Sequence, residues 1–309
     1  MWKRLLLLLD SIKFAHSVFA LPFALLAMVV AAQGWPSWRV FGLILLCMVS
    51  ARSAAMAFNR WADRELDAAN PRTQARPTVT GALRSRVLLV LAGVCSAVFC
   101  AAAWLLNPAC FACALPVLAI LLGYSLSKRF TNLCHFWLGL ALGLAPVGAH
   151  LAVRGDLAPL PGNPGTCSLL NVSPDSLGFE LFPVLIGLGV LFWASGFDLI
   201  YACQDYEVDR ADPRLRSLPK SIGIRNTLLV SAGLHLLSVA LLIAAGVYAG
   251  LGVWYWLAAG TVSVLLVYEH WIVRPDDLSR VNVAFFTVNG VVSLLLFAAV
   301  FVERVLRVP

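Results

Sequence analysis

Asn59-Arg-Trp-Ala-Asp63-Arg-Glu-Leu-Asp67-Ala-Ala-Asn-Pro71-Arg72 closes one long apolar run, and Tyr201-Ala-Cys-Gln-Asp205-Tyr-Glu-Val-Asp209-Arg-Ala-Asp-Pro213-Arg214 closes another. Each stretch sets two aspartates four residues apart and follows the second, four residues later, with Pro-Arg. Carboxylates beside a bilayer are costly and mark functional positions. At about 100° per residue, Asn59, Asp63 and Asp67 advance only about 40° per step, and Asp198, Asp205 and Asp209 fall within about 40° of one another. If both helices stay wound to their ends, each offers a column of oxygen ligands to a shared cavity.

Outward from these stretches the chain is apolar. Of its 309 residues, 61% are hydrophobic and 13% charged, against roughly 25% charged in soluble domains. Apolar runs of spanning length, roughly 17–25 residues, recur nine times, at about 14–33, 38–58, 86–106, 110–127, 133–153, 181–202, 225–248, 251–270 and 283–303. The eighth is flanked by Trp254, Trp256 and Glu269 and is the least apolar. Backbone groups in lipid must be satisfied within their own segment, so these spans are helices. The expected fold is an all-α integral membrane protein, nine transmembrane helices in a bundle around a central cavity. No cleavable leader is expected, since Lys3-Arg4 precede only five leucines before Asp10.

The net charge is +7. With nine spans and the N-terminus inside, all but five of the 23 basic residues fall on inner segments. The exceptions are Arg39, Arg154, Arg304 and Arg307 outside and Arg52 within the second span. The positive-inside rule then puts the N-terminus in, the C-terminus out and both acidic stretches on the cytoplasmic side. The two aspartate pairs are separated by room for four spans. This suggests a single domain over 1–309, built from two pseudo-repeated four-helix halves plus a last helix.

The chemistry follows from residue types. Mg²⁺ prefers hard oxygens and takes one or two carboxylates, completing its shell with phosphate and water. Arg72 and Arg76, just beyond the first column, offer planar forks for phosphate oxygens. Lys128-Arg129 add charge, and Tyr124, one turn earlier, adds a hydroxyl. Such fixed cations stabilise a departing diphosphate. The eight cysteines read as small buried hydrophobes. His135, His150, His235 and His270 share no helical face and read as structural.

These residues resemble the UbiA superfamily of intramembrane aromatic prenyltransferases. Asn59-x3-Asp63-x3-Asp67 with Asn70-Pro-Arg-Thr-Gln-Ala-Arg-Pro77 is similar to the first family motif. Tyr124-x3-Lys128-Arg129 is similar to the intermediate motif, and Asp198-Leu-Ile-Tyr-Ala-Cys-Gln-Asp205-x3-Asp209 to the second. The resemblance implies that Asn59, Asp63, Asp67, Asp205 and Asp209 bind Mg²⁺, while Arg72, Arg76, Tyr124 and Lys128 contact the diphosphate. It places Asp198 and Tyr201 near the reacting carbon or its proton. Arg52 would meet the carboxylate of an aromatic acceptor, with Lys13 and His16 nearby. Arg60, where many 4-hydroxybenzoate enzymes carry Asp, resembles the branch acting in the futalosine route to menaquinone, whose acceptor is a dihydroxynaphthoate.

The implied activity is Mg²⁺-dependent transfer of a polyprenyl chain from polyprenyl diphosphate to a ring carbon of an aromatic hydroxy-carboxylate, in ubiquinone or menaquinone biosynthesis. The setting would be the inner (plasma) membrane with the active site facing the cytoplasm, and no nucleic-acid partner. Within the same fold the alternatives are transfer to haem or to a glycerol phosphate. From another class the alternative is a secondary transporter with repeated halves, although transporters place ionisable groups near the bilayer midplane.

Overall fold

The computed structural model of the chain describes residues 19–155 and 180–306. Lys13 and His16, and most of the outer segment 154–180, lie outside these residues. Among the described residues the chain forms helices, with one isolated bridge between Arg274 and Asp277. They are α1 (Leu21–Ala32), α2 (Trp38–Ala62), α3 (Arg64–Ala69), α4 (Ser85–Leu106), α5 (Pro108–Ser127) and α6 (Cys134–Arg154). After the outer segment follow α7 (Phe182–Ala202), α8 (Tyr206–Ala211), α9 (Leu218–Tyr248), α10 (Val253–Ile272) and α11 (Asn289–Arg304).

Seven of these helical stretches are long and apolar enough to cross a bilayer: Trp38–Ala62, Ser85–Leu106, Pro108–Ser127, Cys134–Arg154, Phe182–Ala211, Leu218–Tyr248 and Val283–Arg304. The first and eighth of the nine expected spans are helical but do not reach that standard. The described part of α1 has 12 residues. In α10 the rings of Trp254, Tyr255 and Trp256 at one end, and Glu269 and His270 at the other, dilute the apolar run.

The starts and stops of the spans follow local chemistry. Ser37, Asn107 and Ser217 each accept a backbone N–H of the first turn of α2, α5 and α9, satisfying donors that a helix start leaves free. Gly223, at φ 79°, interrupts α9 with non-helical backbone two residues before the start expected for this span at about 225. α6 and α7 cross where Gly139 and Gly143 face Leu191 and Gly187. A Cβ at Gly139 would overlap the Leu191 carbonyl, and one at Gly143 would sit 2.5 Å from the Gly187 oxygen. Small residues bring spanning helices close, so that packing replaces the hydrophobic effect that lipid cannot supply.

α2 packs on α4 and α5, α6 packs on α5 and α7, and α7 packs on α9. α1 rests between α6 and α11, and α10 closes against α9 and α11. Between α7, α9, α10 and α11 the interior is filled by Trp193, Phe197, Tyr248 and Tyr255, all essentially inaccessible. A buried polar chain runs through this part. Trp193 Nε1 donates to Asn289 Oδ1 (2.7 Å), and Asn289 Nδ2 donates to Glu269 Oε1 (2.9 Å) and to the Ala284 carbonyl (3.0 Å). The last bond ties α11 to the π-helical turn Val283–Val288. The cavity described below is lined by α1, α2, α4, α5 and α6, while these bulky rings fill the space among α7, α9, α10 and α11.

Candidate active site

Both acidic stretches break their helices at the first aspartate of the pair. α2 ends at Asp63 (φ −92°, ψ 7°), and the 3₁₀ turn after α7 ends at Asp205 (φ −94°, ψ 5°). These dihedrals lie in the sparsely populated bridge region between helix and strand. The continuous columns expected from the sequence are therefore bent, and each second aspartate sits on a six-residue helix, α3 or α8. Those helices stop at Asn70 (ψ 119°) and Asp212 (ψ 112°), because a following proline disfavours helical backbone in the residue before it. Next come two matching turns, in which Arg72 N donates to Asn70 Oδ1 and Arg214 N to Asp212 Oδ1, both at 2.9 Å.

The turns then diverge in what their arginines hold. Arg72 reaches across to the other acidic stretch, donating from Nε to Asp205 Oδ1 (3.1 Å) and from Nη2 to Asp205 Oδ2 (2.6 Å). Asn70 Nδ2 adds a bond to Asp205 Oδ1 (3.0 Å). Arg72 Nη1 also donates to the Tyr201 hydroxyl (3.1 Å), and its guanidinium lies 5.3 Å from the Tyr201 ring centre. Arg214 stays at home on Asp212, through Nε at 3.0 Å and Nη2 at 2.7 Å. Asn70 is neutral and cannot form an ion pair with its own arginine; Asp212 can.

The remaining aspartates have separate partners. Asp63 Oδ2 accepts from Asn59 Nδ2 (2.7 Å), and Arg129 Nη2 stands 3.9 Å from Asp63 Oδ1. Burial pushes the Asp63 carboxyl up to about 6; Asp67 adds to the rise, while Lys128 and Arg129 oppose it. Asp67 Oδ1 accepts from Arg76 Nη1 (2.6 Å). Burial works against a charge on Lys128, but Asp209, Asp198 and Asp205 raise its ammonium above the usual lysine range. The Lys128 carbonyl accepts from Arg216 N (2.7 Å), and the Phe130 carbonyl from Arg216 Nη1 (3.1 Å). These bonds fasten the segment after α8 to the α5–α6 connection.

Two carboxylate oxygens stand out. Asp67 Oδ2 and Asp209 Oδ2 are buried and have no hydrogen-bond partner, a state that costs about 1–3 kcal/mol each. A divalent cation would relieve that cost. The donor set is all oxygen, as Mg²⁺ prefers. Among the described residues no three of His, Cys, Asp and Glu gather closely enough to hold an ion unaided, so phosphate and water oxygens would have to complete its shell.

Beside the acidic end lies an apolar cavity of about 290 Å³, lined by residues between Ala20 and Ala152 on α1, α2, α4, α5 and α6. Its α2 wall runs from Ile44 to Asn59, a rise of roughly 22 Å at about 1.5 Å per residue. Asn59 and Tyr124 belong to this wall, and Asn59 also holds Asp63, so the cavity opens onto the acidic site. Arg52 lines it among Met48, Ala55, Met56 and Leu138, and its Nε is buried without a partner.

The structure thus brings together Asn59, Asp63, Asp67, Arg72, Arg76, Tyr201 and Asp205, with Tyr124, Lys128, Asp198 and Asp209 around them. It sets Arg52 apart, inside the cavity. It adds two residues given no role from the sequence. Asn70 positions Asp205, and His135 Nδ1 lies 2.7 Å from Asp198 Oδ2. The latter pairing had a signal. α6 begins at Cys134 and α7 ends at Ala202, and adjacent antiparallel spans set the start of one against the end of the other.

A model of the UbiA prenyltransferase family matches residues 20–291. A 4-hydroxybenzoate octaprenyltransferase of Xanthomonas campestris pv. campestris is 30% identical over 285 residues, covering 91% of this chain and 85% of its own length. The apo structure of a UbiA homologue from Aeropyrum pernix K1 shares 31% identity, with a TM-score of 0.79 over 94% of this chain and 98% of that one. A UbiA homologue from Archaeoglobus fulgidus, solved with DMAPP and Mg²⁺, matches with a TM-score of 0.67 over 95% of this chain and 97% of that one. At 19% identity it is a likeness of fold alone.

Proposed function

The chain belongs to the UbiA prenyltransferase family, and on that premise we propose that it is a polyprenyltransferase acting on an aromatic hydroxy-carboxylate. The donor is a polyprenyl diphosphate. The acceptor is of the 4-hydroxybenzoate or 1,4-dihydroxy-6-naphthoate type, and the product feeds quinone biosynthesis. The observation that carries this reading is the span from Arg72 to Asp205 and Tyr201, which makes one polar site of two remote stretches at the mouth of an apolar cavity.

Asn59, Asp63, Asp67, Asp205 and Asp209 are the residues that would hold Mg²⁺. When bound, the ion supplies positive charge that offsets the charge developing on the leaving diphosphate. Arg72, Arg76, Tyr124 and Lys128 would grip the diphosphate itself, the two arginines exchanging their present carboxylates for phosphate oxygens of the same geometry. The isoprenoid tail would lie along the cavity. Its walls exclude water, which would otherwise capture the allylic cation. Tyr201 and Phe285, with ring centres 4.3 Å apart, offer π faces to such a cation.

Arg52 is the acceptor's anchor. Its Nε, buried in an apolar cavity without a partner, calls for an acceptor, and its fork suits a carboxylate. Asp198 would take the ring proton. The positive-inside distribution supports an inward N-terminus, an outward C-terminus and a cytoplasmic active site in the inner (plasma) membrane. The matched backbone at Asp63 and Asp205, and at Asn70 and Asp212, supports two repeated four-helix halves with a last helix in a single domain.

The test is product formation. Membrane vesicles carrying the protein are given labelled prenyl diphosphate, Mg²⁺ and either aromatic acid. Mg²⁺-dependent prenylated aromatic is the expected product, and the preferred acid identifies the acceptor. Prenylation of haem or glycerol phosphate instead would overturn the acceptor class. Uptake of a solute without any prenylated product would overturn the reaction.

A further inference from the structure

His135 is the second residue of α6 and is wholly buried. Its Nδ1 lies 2.7 Å from Asp198 Oδ2, while its Nε2 is buried without a hydrogen-bond partner. An unsatisfied polar atom in an interior is costly and calls for an explanation. Here one nitrogen is left unsatisfied and the other is committed to a carboxylate. Nδ1 carries a proton and donates it to Asp198 Oδ2. Oδ2 is thereby occupied. Among the described residues Oδ1 accepts no hydrogen bond, and the Asp198 side chain retains 13% exposure.

Asp198 stands three residues before Tyr201, on the same face of α7 by helical spacing, and Tyr201 accepts from Arg72. The free oxygen therefore lies near the diphosphate clamp and about one turn deeper in the membrane, where the first carbons of a bound tail and the acceptor ring must meet. Tyr124, which lines the cavity, is within electrostatic range of Asp198.

We infer that His135 is the positioning residue that holds Asp198 as proton acceptor for the aromatic ring. This rests on the prenyl-transfer reading above. The allylic C–O bond breaks, and both its electrons leave with the diphosphate. A π pair of the ring forms the new C–C bond. The C–H bond at that ring carbon then breaks, its electrons restore aromaticity, and the proton passes to Asp198 Oδ1. The Nδ1–H of His135 fixes the plane of the carboxylate throughout. Misplacement of a reacting group by about 1 Å can cost about 100-fold in rate, which sets the scale of the effect.

The test compares His135→Leu and His135→Asn, whose amide nitrogen can stand where Nδ1 stood. Leu should lower kcat about 100-fold while KM for the prenyl diphosphate and for the acceptor stays within about threefold. Asn should return kcat to within about tenfold of wild type. An acceptor deuterated at the reacting carbon should show a larger isotope effect on kcat with Leu than with wild type, because proton removal has become slow. Should the leucine variant fail to fold, His135→Ala takes its place in each comparison. Wild-type kcat in Leu, equal losses in Leu and Asn, or an unchanged isotope effect would overturn the assignment. Absence of prenylated aromatic from the wild-type protein would overturn the underlying reading, and the assignment with it, before any variant is compared.

Discussion

Arg72 binds both carboxylate oxygens of Asp205, 133 residues away in sequence, at 3.1 Å and 2.6 Å. With the Asn70–Asp205 bond, the contact joins the two helix breaks. It also keeps a guanidinium waiting beside a carboxylate at the place where a diphosphate would arrive.

Arg72→Ala should therefore reduce kcat/KM for prenyl diphosphate about 100-fold, the scale of a charged hydrogen bond worth up to about 3 kcal/mol. The loss should fall mainly on KM, with Arg72→Lys in between because a point charge lacks the fork. Steady-state kinetics in detergent decides it, and unchanged KM would remove Arg72 from the diphosphate site.

Asn70→Asp should make the first turn behave like the second. The new carboxylate would capture Arg72 as Asp212 captures Arg214, and Asp205 would lose two donors at once. KM for the prenyl diphosphate should rise about tenfold, the order of one displaced charged contact. The mirror change, Asp212→Asn, should leave kinetics alone, since Arg214 touches no other acidic residue described here. Equal effects of the two substitutions would contradict this account.

Asp209→Asn and Asp67→Asn should abolish Mg²⁺-dependent turnover, and Asp209→Asn should yet raise the thermal stability of protein prepared in a chelator. This change replaces a buried carboxylate that has an oxygen without a partner, a saving on the order of 1 kcal/mol. Sites kept for function are commonly bought at the expense of stability. A lower unfolding midpoint for Asp209→Asn would argue that its oxygen is satisfied in the metal-free protein.

Asp63 supplies a pH signature. Its carboxyl is held up at about 6, whereas a free aspartate titrates near 4. Between those values the folded protein keeps a proton that the unfolded chain has released. The contribution to stability is complete below about pH 4 and is lost as pH rises through about 6. The stability advantage of Asp63→Asn over wild type, measured without divalent cations, should grow from pH 4.5 to pH 7 and then level off. A constant difference across that range would show that Asp63 titrates as an exposed residue does.

Much of the architecture can be read from residue order because lipid permits so few solutions. Apolar length gives the spans, proline ends α3 and α8 at Asn70 and Asp212, and basic residues gather at one set of helix ends. The bend at Asp63 and Asp205 is less legible, since a spacing of four fits a straight helix and a kinked one equally. Arg72 and Arg214 each follow a proline, five residues past an aspartate, but Asn70 stands before one and Asp212 before the other, and Asp212 pairs with its own arginine while Asn70 leaves Arg72 to reach across. Arg52 is conspicuous as a charge within a span, while its isolation in the cavity depends on how α2, α5 and α6 pack. His135 reads as structural from the sequence because periodicity compares residues along one helix, and its partner stands on the next.

The hollow among α2, α4, α5 and α6 has a solid neighbour, welded by close-set glycines and filled with indole and phenol rings. Such an asymmetric division of labour separates tolerance from rigidity. Exchanges at Met48, Phe99 or Leu144, which line the hollow, can reshape its bore without unsettling the ring-filled side. If the isoprenoid tail lies there as proposed, its length can be accommodated by small steps, while the opposite flank keeps the frame in register.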